Sequence, residues 1–229
     1  MALYAIGDTH LSLRADKPMD VFGGGWEGYV DKLREGFGPV KDTDTVVLCG
    51  DLSWGMSLEE AREDFAFLDH ELPGEKWLLK GNHDYWWNTA AKMNAFFQTN
   101  GFSHLHVLHN NCAFYGETAL CGTRGWFFEE NGTPQSEKVF KRELIRLEAS
   151  LKAAGERKKL CFLHYPPLYR GYRCQEIIEL LERYQVKACY YGHLHGPSHR
   201  LAIEGTQGSV DYYLVSADFV GFRPKKILD

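Results

Sequence analysis

The chain predicts an α/β layer architecture on a mixed, largely parallel sheet system. Three observations carry this. Short apolar runs recur along it ("LYAIGD", "TVVLCGD", "KWLLKGN", "LCFLHY" and "ACYYGH"), each ending in a polar residue. Runs of that length read as strands buried on both faces. Segments with helical periodicity lie between them, the pattern of parallel strands joined by helical crossovers. Two further regions show consecutive short strand-like runs, which adds antiparallel pairing.

Taken in order, the first strand ends in Gly7-Asp8-Thr9-His10 and the second in Gly50-Asp51. "SLEEAREDFAFLDHEL" is an amphipathic helix, with Ser57 as N-cap and Glu60 three residues on completing a capping box. The third strand runs into Gly81-Asn82-His83-Asp84, and Trp86 and Trp87 are expected to pack a helix that starts there. Residues 104–123 read as short strands joined by turns at Asn110-Asn111 and Gly116-Glu117. His104 and His106 there are expected to face solvent, with Leu105 and Val107 inward. "SEKVFKRELIRLEASLKAAG" is a long helix stopped by Gly155, and "QEIIELLERYQ" is a third helix. Residues 199–216 form a meander through Gly205 and Gly208. With no repeat, low-complexity tract or linker, residues 1–229 read as a single domain.

A net charge of −5 offers no basic footprint for sequence-independent nucleic-acid binding. Bound cations could supply local positive charge, so a nuclease is disfavoured without being excluded. No apolar run is long enough to span a bilayer, and "MALYAIGDTH" lacks the features of a signal peptide. No membrane association and a cytoplasmic location are therefore expected. The six cysteines (Cys49, Cys112, Cys121, Cys161, Cys174 and Cys189) include no C-x-x-C pair and read as free, mostly buried thiols.

Ligand sites in open α/β sheets form at the carboxyl ends of strands. Collected there are Asp8, His10, Asp51, Asn82, His83, Asp84, His164, His193 and His195. Any one of these motifs alone is a turn or a cap more often than a ligand. Together they require every buried strand to end in a metal-ligating residue type by accident. Carboxylate, imidazole and one amide oxygen, without cysteine, suit Mn, Fe, Zn or Ni. The number of donors exceeds what one structural ion needs and fits two divalent ions sharing a carboxylate.

The ordered motifs "GDTH", "GDLSW", "GNHD", "LHYPP" and "GHLHG" resemble those of the calcineurin-like metallophosphoesterases, over residues 8–195. The opening "GDTHLSLRADKPMDVFGGGW" is similar to a bacterial subgroup of phosphohydrolases. The resemblance implies a four-layer α-β-β-α sandwich of two mixed β-sheets flanked by helices. It implies one metal on Asp8, His10 and His195, a second on Asn82, His164 and His193, and Asp51 bridging them. It further implies in-line attack on phosphorus by a metal-bridging hydroxide. His83 is the implied general acid, with Asp84 orienting and charging its ring. The implied partner is a small-molecule phosphate ester, diester or monoester. A nuclease of the same superfamily and a non-catalytic scaffold are the alternatives.

Trp54 stands three positions after Asp51, where many family members carry an acidic or amide residue. It is read as core packing ahead of an aromatic pocket wall. Arg124 is weighed as a substrate-phosphate partner; Arg14 and Arg173 are read as solvated loop residues. "GWFFEENGTPQSE" is the candidate substrate lid.

Overall fold

The computed structural model describes residues 1–17, 19, 25–127 and 133–229. Strands β1 (Leu3–Ile6), β2 (Thr45–Leu48), β3 (Glu75–Leu78) and β4 (Leu105–Val107) pair in parallel, and β13 (Lys225–Leu228) closes their sheet antiparallel to β1. The second sheet has the order β11 (Gly205–Gln207), β12 (Val210–Leu214), β10 (Val186–Tyr191), β7 (Lys158–Leu163), β6 (Thr118–Thr123) and β5 (Cys112–Tyr115). Its four central strands are parallel and both edges are antiparallel. A small hairpin joins β8 (Leu168–Tyr169) to β9 (Tyr172–Arg173).

Strand alternation divides the core into three layers. Ala5, Val47, Phe162 and Tyr190 fall in the cluster between the sheets. Their neighbours Ile6, Leu48, Cys161 and Tyr191 point outward into two flanking clusters. The first flank is covered by α1 (Tyr29–Gly36), α2 (Arg62–Ala66) and α3 (Ala90–Asn100), and the second by α4 (Pro134–Ala153) and α5 (Gln175–Arg183). A strand with helices on one side and a second sheet on the other is apolar on both faces, which is why the strand runs read as continuous. The result is two mixed sheets face to face with helices outside.

Several local expectations need correction. No hairpin turn lies at Asn110-Asn111: β4 pairs with β3 in one sheet while β5 pairs with β6 in the other, so the chain changes sheets there. Asn110 makes the change with φ 61°, a left-handed conformation that asparagine tolerates. The helix from Ser57 begins as turns; its α-helical part is α2, and residues Phe67–Glu71 continue as a π-helix. Ser57 Oγ still accepts from Glu60 N at 3.2 Å, but the Glu60 carboxylate turns to Met56 N. No helix starts at Trp86. Its indole is buried edge-on against Phe65, and α3 begins four residues later behind the Thr89 cap.

His104 and His106 lie outward and share Glu75, at 2.8 and 2.6 Å, while Leu105 and Val107 are buried. All six cysteines are free. Among the described residues no helix is long and apolar enough to cross a membrane.

Asp64 is fully buried in α2, accepting hydrogen bonds from Leu13 N at 2.8 Å and from the Ser53 hydroxyl. Burial pushes its pKa up to about 6, against the pull of those two donors. The folded state therefore holds this proton more tightly than the unfolded chain does. Its contribution to stability falls as pH rises from about 4 through about 6. Asp64→Asn is expected to remove this slope. The difference in urea-unfolding stability between the two proteins should shift by up to about 3 kcal/mol in the variant's favour between those pH values.

Candidate metal centre

The two sheets are stitched together where their strands end. Gly7 N donates to Val215 O at 2.7 Å and Ala217 N donates to Gly7 O at 2.9 Å across the sheets, while Asp8 N to Gly50 O at 2.8 Å and Gly192 N to His164 O at 3.0 Å extend the pairing within each sheet. The strand-end residues of both sheets consequently meet in one place. Asp8, His10, Asp51 and His193 hold positive φ values of 58°, 45°, 52° and 73°. Non-glycine residues adopt this region at a cost, and four of them together mark a site whose geometry is imposed by its surroundings. The motif glycines answer a different need. A Cβ at Gly81 would overlap the Asp51 carboxylate and amide, and one at Gly192 would overlap the Asp8 carboxylate.

Donor atoms gather in two constellations. In the first, His195 Nε2 lies 3.3 Å from both Asp8 Oδ1 and His10 Nε2. In the second, Asn82 Oδ1 lies 2.7 Å from His164 Nε2 and 2.9 Å from His193 Nδ1, and those two nitrogens are 3.3 Å apart. Asp51 Oδ2 sits between the two, 3.8 Å from His10 Nε2 and 3.5 Å from His164 Nε2. The structure thus brings together all seven residues expected as ligands.

The chemistry of this donor set can be tested on its hydrogen bonds. His164 Nδ1 is 3.0 Å from Cys49 O, an acceptor only, so the ring proton belongs on Nδ1. Burial pushes the His164 pKa down, favouring the neutral ring. Its Nε2 lone pair then faces the Asn82 carbonyl oxygen at 2.7 Å, acceptor against acceptor. A cation between them removes that conflict.

Charge behaves similarly across the site. Burial lowers the His193 and His10 pKa values to about 3. Burial opposes protonation of His195 too, yet Asp8 and Asp218 more than offset it and raise the ring to about 10. Burial and the neighbouring charge of Asp8 push Asp51 up. Without added positive charge the site must retain protons, whereas bound divalent cations would compete with those protons for the same lone pairs. The residues therefore fit metal ions.

Asp84 departs from expectation. Both Asp84 oxygens are taken by N–H donors: Asp51 N at 2.8 Å and Gly81 N at 2.7 Å on one, Leu52 N at 2.8 Å, Ser53 N at 3.4 Å and Trp86 Nε1 at 3.1 Å on the other. The expected Asp84–His83 ring pair is absent; Asp84 instead clamps the Asp51 loop to the Asn82 loop. Among the described residues, the buried His83 Nδ1 has no hydrogen-bond partner. The His83 backbone N donates to Asp51 Oδ1 at 2.7 Å, and its ring lines a cavity of about 650 Å³ beside the first constellation. Trp54 packs against the core, the reading put first, and also lines the same cavity, the reading put second.

Arg124 occupies a separate small recess of about 70 Å³ with Lys80 and Arg146. Its backbone carbonyl, accepting from His164 N and Tyr165 N at 3.1 and 2.9 Å, is what reaches the centre. Arg14 is held at the surface by Glu59, and Arg173 is exposed. Of the expected lid, residues 128–132 lie outside the described residues.

Sequence reasoning missed Asp218. Its Oδ1 lies 3.0 Å from His195 Nδ1, and its Oδ2 accepts from Gly196 N at 2.9 Å. The signal available was another acid shortly after a strand-like run, "YYLVSAD". Carboxylates behind metal-binding histidines fix the tautomer and raise ring basicity. Asp218→Asn is expected to weaken metal binding roughly 10- to 100-fold, measured by chelator competition, with the second constellation unaffected.

Fold and donor set together are what a metal-dependent phosphoric ester hydrolase requires, and the family comparison shows that class. The family model for calcineurin-like phosphoesterases matches residues 1–197, and the chain belongs to that family. Among solved structures, a protein of unknown function, AQ665, from Aquifex aeolicus is similar at 14% identity and TM-score 0.51, covering 98% of this chain and 95% of that one. The purple acid phosphatase PPD1 from yellow lupin (Lupinus luteus) seeds aligns at 13% identity and TM-score 0.43, over 100% of this chain and 45% of that one. No curated protein sequence matches the chain.

Proposed function

We propose that this chain hydrolyses a small organic phosphomonoester or phosphodiester at two divalent cations. One would rest on Asp8, His10 and His195, the other on Asn82, His164 and His193, with Asp51 shared. The observation that carries the reading is the position of Asp51 Oδ2 between His10 Nε2 and His164 Nε2. The donor types suit Mn, Fe, Zn or Ni. Bound there, the cations would neutralise phosphate charge and acidify a water for in-line attack on phosphorus.

The protein's own groups do the rest. Asp51 Oδ1 anchors the His83 backbone, Asp84 fixes both ligand loops, and Asp218 holds the His195 ring. His83 faces the cavity where a leaving group would lie and would give it a proton. Burial and the neighbouring His164 and His195 lower its pKa, so the proton is best held when substrate phosphate charge lies beside the ring. Arg124 is assigned to backbone support, because its side chain lines a different recess from the His83 cavity.

The reading places the whole activity in one domain of residues 1–229. The six free thiols support a reducing, cytoplasmic setting. A nuclease finds no support in a net charge of −5. A non-catalytic scaffold has no need of a complete donor set or of His83 on the cavity wall.

The test is hydrolysis of bis(4-nitrophenyl) phosphate and 4-nitrophenyl phosphate with Mn, Fe, Ni, Zn or Mg, beside a chelated control. Metal-dependent cleavage of either ester is the expected result. Absence of cleavage with two ions bound per chain would overturn the reading in favour of a scaffold.

A further inference from the structure

The cavity beside the first constellation has two unlike walls. One is made by His10, His195 and His83, the groups that would face the reacting phosphate on the reading above. The other carries two tryptophans, Trp26 and Trp54, with Pro197. Trp54 stacks on the His10 ring at 5.1 Å between centroids and 23° between planes, and its centroid is 4.5 Å from that of His83. Trp26 stands edge-on to both His10 and His195 at 5.8 Å, and is fixed from behind by Tyr29 and Phe222 at 5.6 and 5.2 Å. The aromatic wall is therefore rigid and directly continuous with the metal-binding rings.

Trp54 is also open to visitors. Trp54 is half-buried, and besides His10 its ring is covered by Lys17, an exposed side chain with Nζ 5.0 Å from the ring centroid, which an incoming ring would displace. A short polar leaving group such as a glycerol would leave this apolar surface in contact with water. A flat ring would cover it, since every aromatic ring presents a face suited to stacking on indole.

We propose that Trp54, with Trp26, forms an aromatic slot that selects phosphate esters whose leaving group carries a flat aromatic or heteroaromatic ring. This rests on the phosphoesterase reading above. On hydrolysis the water oxygen bonds to phosphorus, the ester P–O bond breaks, and the ring-bearing alcohol departs with a proton on the former ester oxygen. Trp54 takes no part in the bond changes; it sets where the departing group lies.

The experiment compares kcat/KM of the metal-loaded protein for phenyl phosphate, a nucleoside 5′-monophosphate and glycerol phosphate. Thymidine 5′-(4-nitrophenyl phosphate) and glycerophosphoethanolamine are the diester counterparts. The wild type is expected to prefer the nucleoside 5′-monophosphate to glycerol phosphate, two alkyl esters with similar leaving oxygens; the aryl esters, whose phenolates depart more readily, are compared only through the change that Trp54→Ala makes. Trp54→Ala should lower the ratio of ring-bearing to ringless kcat/KM by roughly 5- to 100-fold, mostly through KM, as loss of one stacking contact predicts. Trp54→Phe should retain most of the ratio, which guards against misfolding of the smaller variant. A readout independent of turnover is quenching of tryptophan fluorescence by phenyl phosphate or the nucleotide, attenuated in Trp54→Ala.

Cleavage with no ring preference, or a ratio unmoved by Trp54→Ala, would overturn the slot while leaving the phosphoesterase reading intact. Saturable quenching without cleavage of any ester would support the slot and sink the phosphoesterase reading instead. A larger effect of Trp54→Ala on the nucleotide than on the phenyl ester would identify the ring as a base; equal effects would show that any flat ring suffices.

Discussion

Asp51→Asn is expected to lower kcat/KM by about 10³-fold or more, the size of effect that follows from losing several kcal/mol of cation-derived transition-state stabilisation. Asp51 Oδ2 is poised between the two constellations, 3.8 Å from His10 Nε2 and 3.5 Å from His164 Nε2. An amide there keeps the shape, and its oxygen can still accept from His83 N, which Asp51 Oδ1 does at 2.7 Å. What it loses is the negative charge that two cations would share. Bound metal, counted by mass spectrometry after gel filtration, is expected to fall below two per chain. The same protein should lose most of the thermal stabilisation that added metal gives the wild type, because ligands that bind only the folded state stabilise by mass action. Two tightly held ions with unchanged turnover would remove Asp51 from the bridging position.

His83→Ala should behave differently, with kcat falling roughly 10²–10⁴-fold through loss of proton donation while metal content stays at the wild-type level. The ring lines the cavity and lies tilted beside the His10 ring at 5.8 Å between centroids. Its backbone N–H to Asp51 Oδ1 survives the substitution. Leaving groups separate the possible roles. A 4-nitrophenolate departs readily without a proton, so the loss should be smallest for nitrophenyl esters and largest for alkyl esters. Equal losses across the series would mean that His83 positions substrate and gives up no proton.

Much of this was legible in the chain itself. Ile6, Leu48, Phe162 and Tyr191 are apolar on whichever side they point, because each strand is covered by a sheet on one face and helices on the other. The residues that follow those strands announce themselves for the opposite reason. Asp8, Asp51, Asn82 and His164 are poor choices for a buried strand end unless something charged is to be held there.

What escaped was decided by distance in space. Asp84 follows His83 directly, which made a pair of the two look natural. Its five N–H partners come from Asp51, Leu52, Ser53, Gly81 and Trp86, and only a folded loop could present them together. Asp218 lies 23 residues beyond His195 in a segment with no motif, and becomes its partner only because β12 runs parallel to β10.

The sequence by itself determined that strands alternate with helices and which residue types end the strands, since local polarity and periodicity are properties of neighbours along the chain. Only the tertiary structure decided that β4 and β5 belong to different sheets, that Asp84 braces the loops, and that Trp26 and Trp54 share one wall. Pairings of that kind depend on which segments the packed core brings into contact, and separation along the chain carries no record of it.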